Sequence, residues 1–86
     1  FDDILYITRD SVERKCIIVT DYAEFKVGKT FTELICLLND DFIQTHRACF
    51  VNKKRVACYN KNKKFIIFDN GTTIDLISTR FNKELV

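Results

Sequence analysis

The eleven residues Phe42-Ile43-Gln44-Thr45-His46-Arg47-Ala48-Cys49-Phe50-Val51-Asn52 carry two short apolar runs around a polar centre. Phe42 to Gln44 and Phe50 to Asn52 are short and rich in β-branched and aromatic residues, which favours strands. Toward the C-terminus Val56 to Tyr59 reads as a further strand. Lys64 to Asp69 is then joined by Asn70-Gly71 to Thr72 to Ile77. Asn-Gly supplies the positive φ angles of a tight hairpin turn, so Phe65 to Phe68 is expected to pair antiparallel with Thr73 to Leu76. Ser78 is placed to cap a short closing helix through Phe81 to Leu85.

Toward the N-terminus, Ile4 to Thr8, Lys15 to Thr20 and Ala23 to Val27 read as three strands, with a tight turn near Asp21 and Tyr22. From Thr30 the period changes. Phe31, Leu34, Ile35 and Leu38 fall at helical spacing, and Thr30 with Glu33 forms a capping box, which predicts a helix of about three turns. Asn39-Asp40-Asp41 stops it, because short polar side chains compete for backbone hydrogen bonds. The acidic pair is thereby read as a helix stop and not as a catalytic dyad. The expected fold class is mainly β, with one mid-chain helix and a short C-terminal helix.

Eighty-six residues suffice for one domain with a modest core, and 47% apolar with 30% charged residues fits a soluble globular chain. Apolar runs stay far below the roughly 20 residues of a membrane span, and the Phe-Asp-Asp-Ile-Leu start lacks the features of a signal peptide. The chain is expected to be a fragment of a longer polypeptide and, with reduced thiols, to belong to the cytoplasm. Without proline, and with glycine only at 28 and 71, it holds no linker and no repeat. Cys16, Cys36, Cys49 and Cys58 form no CxxC pair and are expected to be reduced, mostly core thiols. His46 and Cys49 are the only close metal-type pair, so neither metal nor cofactor is expected. The charge is uneven: residues 1–43 sit near −4 and residues 44–86 near +6. Such asymmetry points to an anionic partner.

The segment from Phe42 to Asn52, an aromatic residue, then His and a basic residue, then aromatic-Val-Asn, resembles the signature of LytTR-type DNA-binding domains, the C-terminal output modules of response regulators. Asp3-Ile4-Leu5-Tyr6-Ile7, the helix within Lys29 to Leu38, the Asn70-Gly71 hairpin and the Ser78-Thr79-Arg80-Phe81 ending resemble the same family in the same order, so the resemblance spans nearly the whole chain. It implies an elongated stack of small antiparallel sheets that inserts loops into successive major grooves. Carried over by position, the base-reading sites fall on Arg14, Arg47 and Arg80, and arginine suits guanine edges because it donates two hydrogen bonds at once. Backbone contacts fall to His46, Lys53, Lys54, Ser78 and Lys83, with Arg55, Lys61, Lys63 and Lys64 as further basic candidates. Gln44 and Ala48 stand where the family commonly carries Arg and Ser.

The resemblance further implies a double-stranded promoter partner with direct repeats, bending of that DNA, a monomer in solution that pairs on DNA, and an upstream receiver or other regulatory domain. The alternative is an RNA or single-strand-binding β-module, for which Tyr59, Phe65 and Phe68 alternate with basic residues as a stacking platform would require. A protein-interaction domain is a third class. No enzyme is expected, since paired carboxylates, metal spacing and phosphate loops are all missing.

Overall fold

The computed structural model describes residues 3–10, 12 and 15–81. In chain order these form β1 (Ile4–Asp10), β2 (Lys15–Thr20), β3 (Glu24–Val27), α1 (Phe31–Ile35), β4 (Phe42–His46), β5 (Cys49–Asn52), a 3₁₀ turn (Lys53–Arg55), β6 (Val56–Asn60), β7 (Phe65–Phe68) and β8 (Thr73–Ile74). A five-stranded sheet has the order β3-β2-β1-β5-β4, a three-stranded sheet the order β6-β7-β8, and all pairs are antiparallel. The principal extents are 34 × 27 × 23 Å.

Strand alternation builds three layers. Along β2, Cys16 and Ile18 face one cluster while Ile17 and Val19 face the other, as a period of two demands. One face of the larger sheet packs on α1 through Ile7, Cys16, Phe50 and Leu34. The opposite face packs on the smaller sheet, where Leu5, Val19, Cys49 and Val51 meet Val56, Ile66, Phe68 and Ile74. A register slip in β1 between Ile4 and Tyr6 lets Leu5 and Tyr6 contribute to the same cluster. Tyr6 then stacks on Phe68 with ring centroids 5.7 Å apart. Two buried polar side chains are satisfied: Asn52 Nδ2 donates to the Ile4 carbonyl at 2.9 Å and its Oδ1 accepts from Lys54 N, while Thr45 Oγ1 donates to the Leu76 carbonyl.

Three expectations change. The helix is one α-turn of five residues, continued only by the tighter bonds Leu37 N to Leu34 O and Leu38 N to Ile35 O. Its capping box is present, but of its apolar residues only Leu34 is buried while Ile35 and Leu37 are exposed, too little packing to extend an intrinsically marginal helix. Asn39 then accepts from Asp41 N and turns the chain into β4. The Asn-Gly hairpin closes through a loop of three residues and not two, since Phe68 N bonds Thr72 O and only Gly71, at φ 91°, takes positive φ there. Pairing runs Ile66 to Ile74 and Ile67 to Thr73, and β8 ends at Ile74 because residues 76 and 78 bond instead to Thr45 of the other sheet. Of the closing helix, Phe81 is described and residues 82–86 lie outside the described residues; Ser78 does accept from Arg80 N. The cysteines divide evenly, Cys16 and Cys49 buried but Cys36 and Cys58 exposed, which corrects the expectation of mostly core thiols.

Candidate nucleic-acid interface

β4 and β5 form a hairpin whose tip is Arg47-Ala48. The tip is braced by its neighbours. The Ala48 carbonyl accepts from Thr8 Oγ1 at 3.0 Å and from Arg9 N at 3.2 Å, and Ala48 N donates to His46 Nδ1 at 3.1 Å. That last bond uses the Nδ1 lone pair, so the neutral imidazole carries its proton on Nε2, ready to donate. Arg47, at the apex, is exposed.

Residues 75–81 leave the smaller sheet and cross to this tip. Ser78 N donates to the Thr45 carbonyl at 2.7 Å, Phe81 N to the Ser78 carbonyl, and Lys64 Nζ to the Phe81 carbonyl at 2.9 Å. Phe81 is buried, edge-on to Tyr59. Arg80 stays exposed on a backbone held from both sides. Gln44, Thr45, His46, Arg47, Ser78, Arg80 and Phe81 together line a shallow open depression of about 320 Å³. Four of the anticipated contacts, His46, Arg47, Ser78 and Arg80, are therefore brought to one place from segments more than thirty residues apart.

The others are not. Lys53 and Lys54 follow β5 at the far end of the hairpin, where Lys54 pairs with Asp41 at 3.2 Å. Arg14 and Lys83 lie outside the described residues. Arg55 is a structural clasp: its guanidinium meets Asp69 at 2.7 Å and Asp21 at 2.8 Å, and Asn70 donates to the same Asp21 oxygen. Two of the aromatics that suggested base stacking serve the core, since Phe68 is buried and Tyr59 packs on Phe81, while Phe65 is half-buried. Among the described residues no group of three or more His, Cys, Asp or Glu side chains is placed to hold a metal.

The sequence matches the model of the LytTr DNA-binding domain family over residues 1–86. The chain belongs to that family. Among solved structures it is similar to the LytTr DNA-binding domain of a protein described as a methyl-accepting/DNA response regulator from Bacillus cereus, with TM-score 0.73, 20% identity, and coverage of 88% of this chain and 72% of that one. No curated protein sequence matches significantly. No helix among the described residues is long and apolar enough to cross a membrane.

Strand directions give this LytTr domain two charge poles. The hairpin tip shares its end of the larger sheet with Arg9 late in β1, Lys15 opening β2, and Lys29 just after β3. The one acidic strand residue at that end among the described residues, Asp10, is paired with Lys26 at 3.9 Å. In the smaller sheet the turn after β6, with Lys61, Lys63 and Lys64, is tied to the same end through Lys64 and Phe81. The opposite end holds Asp21, Asp40, Asp41 and Asp69, and there Lys54 and Arg55 are paired. Division of the sequence into an acidic and a basic half missed Arg9, Lys15 and Lys29, because antiparallel topology carries them out of the acidic half to the basic pole. A signal did exist: each lies at the C-terminal end of an upward strand or the start of the downward one beside it. Arg9 and Lys29 also line a second cleft, of about 360 Å³, with Cys16 and Phe31.

Proposed function

We propose that this domain is the DNA-reading output module of a bacterial response regulator, and that it recognises promoter duplex through the loops of its basic pole. The observation that carries this reading is the convergence of Arg47 and Arg80, both exposed, on one open depression also lined by His46 and Ser78. Arginines on braced loops can enter a major groove and donate bidentately to guanine O6 and N7, whereas His46 Nε2 and the Ser78 hydroxyl suit phosphate oxygens. Arg14 and Lys83 belong to the same proposal as a third base contact and a further backbone contact. Lys53 and Lys54 stand away from this pole, and the reading assigns them no phosphate on a straight duplex.

Direct repeats belong to the proposal as the target, and the size of the domain is compatible with them. A domain about 34 Å in its longest dimension spans about one helical turn, so two monomers side by side read two repeats on one face. Bending of the duplex toward the basic pole brings further phosphates to Arg9 and Lys29 at an elastic cost of roughly 1–6 kcal/mol. An attached receiver domain and a cytoplasmic location complete the proposal. Selection of bound duplexes from a random pool tests it. An enriched repeated motif is expected, with Arg47→Ala and Arg80→Ala each losing about 1–3 kcal/mol and relaxing preference at a different base. Enrichment of single strands, or no enrichment, overturns it.

A further inference from the structure

Thr45 is a second kind of residue in this interface, and the inference drawn from it rests on the DNA-reading role proposed above. Along the β4–β5 ladder Gln44 opposes Phe50 but His46 opposes Cys49, so the register slips by one at Thr45. Slips of this kind re-aim a side chain and recur beside functional sites. Thr45 is 1% exposed, between exposed Gln44 and half-buried His46. Its hydroxyl donates to the Leu76 carbonyl at 2.8 Å and its own carbonyl accepts from Ser78 N at 2.7 Å.

The consequence is a short mechanical path. Thr45 lies two residues before Arg47, and Ser78 lies two residues before Arg80. The segment that carries Arg80 has already left its strand ladder at Ile74, so β-pairing does not fix its height against the hairpin tip; the two Thr45 bonds do, from the side facing Arg47. We propose that Thr45 is a positioning residue which sets the spacing and mutual orientation of Arg47 and Arg80, and so the register in which both bases are read, without touching DNA. Bidentate guanine recognition depends on guanidinium geometry, and loosening the frame by a fraction of an ångström weakens both contacts together. A hydroxyl that served folding alone would lower the amount of folded domain and leave its base preference unchanged.

Thr45→Val keeps the side-chain shape and removes the donor, whereas Thr45→Ser keeps the donor. Both are measured, with Arg80→Ala and the Thr45→Val/Arg80→Ala double variant, on the duplex the wild type selects and on an unrelated duplex, alongside thermal melting. The expected result for Thr45→Val is a fall of about tenfold in the specific-to-nonspecific ratio, with preference relaxed at the bases assigned to Arg47 and Arg80, and a smaller further fall of about threefold in the Arg80→Ala background, because only the Arg47 contact is then left to weaken. Thr45→Ser is expected to stay within about twofold of wild type. Equal losses from Thr45→Val in both backgrounds, an unchanged ratio in a folded variant, or a Thr45→Ser loss as large as that of valine would overturn the proposal. If Thr45→Val does not fold, Thr45→Ala is judged by the same ratios, since it leaves room for water at the Leu76 carbonyl. A wild-type domain that selects no duplex sinks the DNA-reading role itself; selection by the wild type with additive losses sinks only the role of Thr45.

Discussion

Cys49 and Cys16 show how a residue's neighbours decide its chemistry. Burial pushes the Cys49 thiol up to about 11, and the nearby Thr45 hydroxyl only partly opposes this. Burial also raises Cys16, whose Sγ donates to the Lys29 carbonyl at 3.1 Å, against the opposing pull of Arg9. At pH 8 a thiol titrating near 11 is ionised about one part in a thousand, and only the thiolate reacts. Iodoacetamide at pH 8 is therefore expected to alkylate exposed Cys36 and Cys58 and spare the other two until denaturant is added. Intact-mass spectra showing four rapid adducts on the native protein would contradict this. At this scale the sequence was informative about which residue types matter and silent about placement. Arg47 and Arg80 are candidates from their motifs alone, but that Asn52 of the same motif braces Ile4 and Lys54 follows only from the fold. Cys36 lies off the 31/34/35/38 face, so its exposure was legible in the helical period, which a general expectation for thiols overrode.

Elements were legible where local chemistry decides them and were lost where a tertiary bond competes. The capping box at Thr30 formed as its residues demand and Gly71 took its positive φ; the size of that hairpin loop, the length of α1 and the end of β8 did not follow, and packing and Thr45 set the last two. The clasp at Arg55 belongs to the second kind. It ties the β2–β3 turn to the β7–β8 loop across the two sheets through Asp21 and Asp69, and nothing in the local sequence announces it. Hydrogen bonding from Arg55 holds the Asp69 carboxyl below its ordinary range. A carboxylate with a depressed folded-state pKa adds stability above its unfolded value, near 4, and loses it as pH falls through the lower folded value. Melting temperature is thus expected to drop between about pH 5 and pH 2, and Asp69→Asn to flatten part of that drop. Arg55→Met, which takes the shared cation from Asp21 and Asp69 and leaves Asp21 only its bond from Asn70, is expected to cost about 1–2 kcal/mol at pH 7, seen as roughly 5–10 °C in calorimetry. An acid profile for Asp69→Asn superimposable on wild type would show that the pair contributes nothing.

For the whole molecule, the decisive property is polarity along the strands, and it cuts across polarity along the chain. Reading the sequence in halves joined Lys53 and Lys54 to the basic set and left Arg9 and Lys29 in the acidic one, whereas antiparallel pairing exchanges them between poles. This makes the path of the DNA measurable. Each phosphate neutralised by a lysine or arginine releases condensed counterion, so the slope of log affinity against log salt falls by about 0.9 for each phosphate no longer neutralised. With the duplex across the basic pole, Arg9→Ala/Lys29→Ala is expected to flatten the slope by about one to two units. Lys53→Ala/Lys54→Ala removes the same formal charge from the other end and is expected to leave the slope unchanged. Screening sharpens the contrast, because beyond about 8 Å at physiological salt a surface charge hardly registers at the phosphates. The reverse result, a flattened slope only for the Lys53/Lys54 pair, would mean that the duplex runs along the β4–β5 hairpin and past the acidic end. Arg47 and Arg80 would then be tip residues of a differently oriented complex, and the two-arginine reading head would have to be abandoned.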